Sequence, residues 1–280
     1  MPYSFTVIGH FICVDTELKL LPNYLEVTKD FHCSFTKIER TPRKLKVGGD
    51  LNCSSNKLIS LSGTLEVKGS IDCSFNRLTS LPNLNVINGS LNCSYNNITT
   101  LPNNLKVKGD LICCNNQLTS LSENMEVGGS LICKNNNLKS LPDNLEVGGD
   151  LICNNNNLTS LPENLKVGGN LYCFDNKIRS FPKNISINGS IDCSSNELIT
   201  FPKLDINISL NCSNNKLTSL PNNLKVNYEL NCSFNQLTTL TENLEVWGNL
   251  ICNNNNLTFS PEKLKVGGDL NCSSNKLISL

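Results

Sequence analysis

The chain has 280 residues, 24 basic and 24 acidic side chains, and a formal net charge of zero. This balance speaks against nonspecific nucleic-acid binding, which needs clustered Lys and Arg, and it offers no basic face to anionic lipid. No stretch of about 18 apolar residues is present, so no membrane span is expected, and Met1-Pro2 already stand in the repeat phase, so no leader segment is expected either.

Self-similarity dominates the sequence. Written in units that start at a Leu-Pro pair, Leu101 to Ser120 reads LPNNLKVKGDLICCNNQLTS and Leu161 to Ser180 reads LPENLKVGGNLYCFDNKIRS. The same phrase runs from Met1 to Ser279 in fourteen units, thirteen of twenty residues and one of nineteen, 201–219. Leu280 opens a fifteenth unit. No linker or shift in composition interrupts the pattern, so one repeat domain over 1–280 is expected. Its coils are 1–20, 21–40, 41–60, 61–80, 81–100, 101–120, 121–140, 141–160, 161–180, 181–200, 201–219, 220–239, 240–259 and 260–279. Repeat arrays bury their core between neighbours, so length does not limit them as it limits a globular domain.

Each coil is read in chain order. Leu and Pro at positions 1 and 2 form a return run, where a proline removes no ladder donor. All eleven prolines lie at position 2. Positions 5, 7, 9, 11 and 13 are typically Leu, Val, Gly, Leu and Cys, as in Leu145, Val147, Gly149, Leu151 and Cys153. That is the two-residue period of a strand. Sixteen of seventeen glycines fall at positions 8 or 9, with Gly63 the exception. They mark a bend that needs either room or positive φ. Two short strands per coil follow, near positions 5–7 and 10–13, each pairing in parallel with its copy in the next coil. Position 16 is Asn in twelve coils, with Thr16 and Thr36 the exceptions. A buried amide both donates and accepts, and this one is expected to satisfy backbone groups left open by the turn. The fold class is therefore an all-β, fourteen-coil parallel β-solenoid, about 65 Å long at a strand spacing of 4.7–4.9 Å.

Position 13 is Cys in all fourteen coils, and Cys114 is the one further cysteine. Such a column alternates with apolar residues and suits a buried slot, where a free thiol behaves as a small hydrophobe. A disulfide wants Cβ atoms about 3.8 Å apart, closer than neighbouring strands bring them. Reduced thiols and a reducing intracellular compartment are expected. Cys114, at position 14, is expected to point outward. No Cys-x-x-Cys pair exists, and His10 and His32 are the only histidines, so no zinc site is expected.

The run Leu131-Ile132-Cys133-Lys134-Asn135-Asn136-Asn137-Leu138 resembles the conserved segment of leucine-rich repeats. The following Leu-Pro is similar to the short twenty-residue bacterial subclass found in secreted effectors. The V-x-G-x-L-x-C-x-x-N variant looks closest to repeat proteins of phages, large DNA viruses and bacteria. The resemblance covers the whole chain. It implies a parallel sheet on a concave face and protein–protein binding there, including a host-interaction role in the cytoplasm of an infected cell. One departure matters: position 8 is Gly, Lys or Asn in most coils, where the family carries Leu, and Val stands at position 7. A flatter coil than the usual horseshoe is expected. Some relatives carry a ubiquitin-ligase domain after their repeats, and nothing in this sequence corresponds to it.

No Ser-His-Asp set, phosphate loop or His cluster is present, and the recurrent Gly-Gly pairs precede a strand rather than a helix. No enzymatic activity, metal or cofactor is expected. Individuality lies where coils differ at outward positions. Position 12 is polar in most coils, as at Asn52, Asp72 and Asn92, but is Ile112, Ile132, Ile152 and Tyr172 in coils six to nine. Cys114, Lys134, Asn154 and Phe174 stand beside them at position 14. This apolar stripe, with Lys134 and Phe174, is the candidate surface for a protein partner, against the alternative that Ile and Tyr merely suit exposed strands. Trp247, the only tryptophan, is a further candidate anchor unless it shields Tyr228. Aromatics at position 15, Phe35, Phe75, Tyr95 and Phe234, form a more scattered one. End-to-end self-association into a structural element is the alternative function, because the terminal coils lack evident caps.

Overall fold

The computed structural model describes residues 4–61, 63–204, 206 and 208–279. Met1, Pro2 and Leu280 lie outside them. The chain forms two compact units, residues 1–138 and 139–280. Each is a parallel β-solenoid, and no helix occurs among the described residues.

In every coil a strand occupies positions 11–12, for example Leu111–Ile112 in the first unit and Leu171–Tyr172 in the second. Register is strict. Leu91 pairs with Leu111 and Leu111 with Leu131; in the second unit Leu151 pairs with Leu171 and Leu171 with Ile191. The nineteen-residue coil causes no slip here, since Ile191 pairs with Leu210 and Leu210 with Leu230. The shortening is taken up before this strand, where Ile206 keeps an isolated bridge to Val226.

The other strand varies in length. It spans four residues in the first four coils, as in Tyr24–Val27 and Lys44–Val47. Later coils keep two, as in Lys106–Val107 and Lys166–Val167. In six of the later coils a turn at position 4 accompanies the difference. Tyr24 and Lys44 continue the extended chain, whereas Asn104, Asn124, Asn144, Asn164, Asn223 and Asn243 adopt φ of 54–58°. Asparagine tolerates that left-handed region better than other residues with a side chain. A turn at position 4 therefore cuts the strand from below. A second turn at position 15 cuts the later one: all fourteen residues there have φ of 51–56°. Among the described residues the two strands predicted per coil are present in thirteen coils, shorter than the hydrophobic alternation suggested, and the nineteen-residue coil keeps only the later one.

Positions 1, 5, 7, 11, 13 and 18 build the core. Leu111, Cys113 and Leu118 have no exposed surface in the first unit, nor do Leu171, Cys173 and Ile178 in the second. Each fully buried Leu contributes about 1.5–3 kcal/mol relative to exposure.

The glycine pairs answer to space and not to positive φ, which among the glycines only Gly9 and Gly63 show. A side chain at position 10 accepts the backbone N–H of position 10 in the next coil. Ser70 N–H donates to Asp50 Oδ1 at 2.7 Å, Ser130 N–H to Asp110 Oδ1 at 2.7 Å and Asn170 N–H to Asp150 Oδ1 at 2.7 Å. The acceptor oxygen lies over position 9 of that next coil, and a Cβ on Gly129 would meet Asp110 Oδ1 at 2.3 Å. Where position 9 does carry a side chain, at Lys29, Ile208 and Tyr228, the preceding coil has His10, Ser190 or Ser209 at position 10. None of these is an aspartate or asparagine.

The asparagines of position 16 form the other ladder. Asn96 Nδ2 donates to the carbonyls of Cys73, Cys93 and Ser94 at 3.0–3.1 Å, and its Oδ1 accepts from Leu78 N–H at 2.9 Å. Asn196 does the same in the second unit with Cys173, Cys193, Ser194 and Ile178. Among the described residues no buried side-chain nitrogen or oxygen lacks a partner.

The candidate partner-binding face

The strand at positions 11–12 and the turn after it present positions 10, 12, 14 and 15 on one side of each unit. Position 12 is half-buried in every coil from the second to the thirteenth. Where it is Asn or Asp, the residue two places on is always Ser: Asn52/Ser54, Asp72/Ser74 and Asn92/Ser94 in the first unit, Asp192/Ser194, Asn211/Ser213, Asn231/Ser233 and Asn271/Ser273 in the second. The geometry explains the pairing. Asp72 Oδ1 accepts from Ser74 N–H at 2.9 Å and from its hydroxyl at 2.6 Å, and Asp192 does the same with Ser194 at 3.0 and 2.7 Å. Each such pair locks the strand end and satisfies its own polar groups.

Ile and Tyr at position 12 cannot make this lock. The partner serine disappears with it: Ile12, Ile112, Ile132, Ile152, Tyr172 and Ile251 are followed by Val14, Cys114, Lys134, Asn154, Phe174 and Asn253. Apart from His32, which keeps Ser34, the two positions change together, so the face carries two alternative surfaces, one polar and locked, the other with an apolar or aromatic side chain at position 12 and no lock. The structure brings Ile112 beside Ile132 in the first unit and Ile152 beside Tyr172 in the second. Lys134 and Phe174 are half-buried beside them.

Cys114 does not point outward. It is only 7% exposed. Position 14 is buried in half of the coils, Ser54, Ser94 and Asn154 among them, because the chain bends there towards the left-handed residue at position 15. Trp247 is 67% exposed, but it lies at position 8, off the strand face and four coils from Tyr172. Tyr228 is itself 65% exposed, so Trp247 does not shield it. The position 15 aromatics are also exposed, and Phe75 stacks on Tyr95 with centroids 4.3 Å apart.

Charge is distributed more unevenly than the total suggests. At positions 10, 12, 14 and 15 the second unit has five acids, Asp150, Asp175, Asp192, Glu229 and Asp269, and no Lys or Arg. The first unit has Asp15, Asp30, Asp50, Asp72 and Asp110 against Lys134. The remaining 23 basic residues occupy other positions, many at position 6, where Lys46 pairs with Glu66 at 3.1 Å and Lys225 with Glu245 at 3.1 Å. The fold itself causes this segregation. The position 10 ladder and the position 12 Asx–Ser lock both need an acceptor, which Lys and Arg lack.

All fifteen cysteines are free thiols. Burial pushes the Cys53, Cys93 and Cys212 thiols up to about 12. They are therefore protonated packing groups and poor nucleophiles. No group of three or more His, Cys, Asp or Glu converges into a metal site among the described residues. No described helix is long and apolar enough to cross a membrane.

These features define a leucine-rich-repeat solenoid with twenty-residue coils. Its fold is similar to that of YopM, a leucine-rich effector protein from Yersinia pestis, at a TM-score of 0.58 and 24% identity over 92% of this chain and 80% of that one. It is also similar to a leucine-rich-repeat protein of Leptospira interrogans, at 0.51 and 19% over 96% and 91%. A chain of the Drosophila Toll–Spätzle complex matches at 0.50 and 17% over 83% of this chain and 41% of that one. No protein-family profile and no curated protein sequence matches the chain.

Proposed function

We propose that the chain is a non-catalytic protein-binding module with two candidate partner seats on its strand faces, one at Ile112, Ile132 and Lys134 in the first unit and a separate one at Ile152, Tyr172 and Phe174 in the second. The observation that carries this reading is the joint change at positions 12 and 14. Strand propensity alone accounts for Ile at position 12, but not for the simultaneous loss of the serine lock beside it. Abandoning a self-satisfied Asx–Ser pair for a half-exposed Ile or Tyr favours a surface meant to be covered. The solved Toll–Spätzle complex shows that a solenoid of this general fold can engage a protein ligand. Trp247 is kept as a separate anchor in the second unit. The protonated thiol column favours a reducing intracellular compartment, including the cytoplasm of an infected host cell.

A partner pulled from native extract should be lost when Tyr172→Asn is combined with Phe174→Ser, or Ile132→Asn with Lys134→Ser. Each pair restores the Asx–Ser lock that other coils of the same unit already use, so the fold is retained. Unchanged recovery of every partner by both variants refutes the assignment. Self-association of the solenoid is the alternative, and light scattering against concentration separates it: growing rods support assembly, and a constant mass eliminates it.

A further inference from the structure

We infer that the partner of the second unit's strand face is a cationic protein segment, one that sets Lys or Arg side chains around an apolar anchor. The inference rests on the binding-module reading and adds the chemistry of what is bound. Tyr172 and Phe174 present half-exposed rings within one coil. Asp175 follows them directly and is exposed, Asp192 pairs in register with Tyr172, and Asp150 lies one coil back at position 10. No Lys or Arg stands at any of the four face positions in this unit. An aromatic pair edged by carboxylates suits a guest whose apolar side chain covers the rings while its guanidinium or ammonium groups meet the acids or lie over a ring face. An acidic or neutral guest gains nothing from that rim.

The carboxylates are not dictated by the ladders. Asn170 fills at position 10 the role Asp150 fills one coil earlier: Ser190 N–H donates to Asn170 Oδ1 at 2.8 Å. Asn211 makes with Ser213 the same lock that Asp192 makes with Ser194. Asn155 holds the left-handed turn at φ 54°, as Asp175 does at 51°. The chain thus supplies its own neutral replacement for each acid, and the triple variant Asp150→Asn, Asp175→Asn, Asp192→Asn changes charge while keeping every ladder contact.

The test uses the full chain and two synthetic dodecapeptides. One carries two arginines on each side of a Leu-Phe pair, and the other has glutamates in place of the arginines. Affinity is read by calorimetry at low and high salt, on either side of the concentration at which the Debye length falls to about 10 Å. The basic peptide should bind and the acidic one should not. The triple variant should bind the basic peptide at least about tenfold more weakly, with a flattened salt dependence. Neutralising Glu163 and Glu242 to Gln, at position 3, should change nothing. Failure of the basic peptide to bind, equal binding of both peptides, an unaffected triple variant, or an equal loss in the position 3 variant each overturns the inference. If the triple variant weakens binding and Tyr172→Asn with Phe174→Ser does not, the cationic partner stands and the apolar seat falls. The reverse result keeps the seat and rejects the charge.

Discussion

The carboxylate of Asp50 fills the space that a β-carbon on Gly69 would need, 2.0 Å from its Oδ1, while that same oxygen accepts the backbone N–H of Ser70 at 2.7 Å. One contact thus links a side chain in one coil to the absence of a side chain in the next. Gly69→Ala should destabilise the first unit by about 1–3 kcal/mol, as overpacking does. In the background of Asp50→Ala, which removes the obstructing oxygen together with the acceptor, the same substitution should cost less. A double-mutant cycle by urea unfolding measures the difference, and additive effects would refute the steric link.

Asn96 serves three carbonyls and one N–H. Asn96→Ala leaves all four buried groups without this partner, so a loss above about 3 kcal/mol is expected. Asn96→Thr should lie between the two, because Thr36 Oγ1 already donates to the Cys33 carbonyl at 3.1 Å in the second coil. Thermal unfolding of the three proteins gives the order.

The thiols set an alkaline limit. Burial raises Cys53, Cys93, Cys212 and Cys252 from an ordinary value of 9.0 to about 12. Above pH 9 the unfolded chain therefore releases protons that the folded chain retains. Stability from these groups is complete below the unfolded pKa and falls as pH rises towards the folded one. Each thiol contributes a slope of about 1.4 kcal/mol per pH unit, and four together exceed about 5 kcal/mol per unit. Unfolding should set in steeply between about pH 10 and 11. Replacing all four by alanine should flatten the slope; an unchanged slope would show that other groups control it.

Thiol reagents should label the native protein slowly at neutral pH and all fifteen cysteines after unfolding. Cys114 should behave with the buried set, given its 7% exposure, whereas Cys13 and Cys272, which are half-buried, should react first. Intact-mass measurement over time checks the order. Rapid single labelling at Cys114 would mean that position 14 opens in solution.

The period of twenty and the identity of positions 7, 11, 13, 16 and 18 made the coil, its parallel pairing and the asparagine ladder legible before any coordinates. Strand length was not, because in coils such as that of Asn104 a left-handed turn at position 4 shortens the strand, and hydrophobic alternation does not record a choice of turn. The outward placement of Cys114 failed for a related reason: strict alternation stops at position 13, where the chain starts to bend. Ile112, Ile132, Ile152 and Tyr172 stood out by type alone. The acidity of the face they occupy did not, because a count of charges over the whole chain sums to zero. It emerges only once residues are sorted by position in the coil, and once the position 10 ladder and the Asx–Ser lock are known to need acceptors. The covariation of positions 12 and 14 was present in the sequence throughout, as seven Asx-Cys-Ser triplets.

The shortened coil at 201–219 shows what the ladders permit. It loses a residue on the side of the first strand, yet Ile191, Leu210 and Leu230 remain in line. Every rung is held by contacts to its neighbours that recur after one turn, so a tandem duplication of twenty codons inside either unit would enter as one more rung. Slippage during copying, which ruins most globular proteins, becomes here a means of changing the number and order of surface residues. The polar and the apolar versions of positions 12 and 14 are then interchangeable cassettes, and a new combination of them needs no new fold.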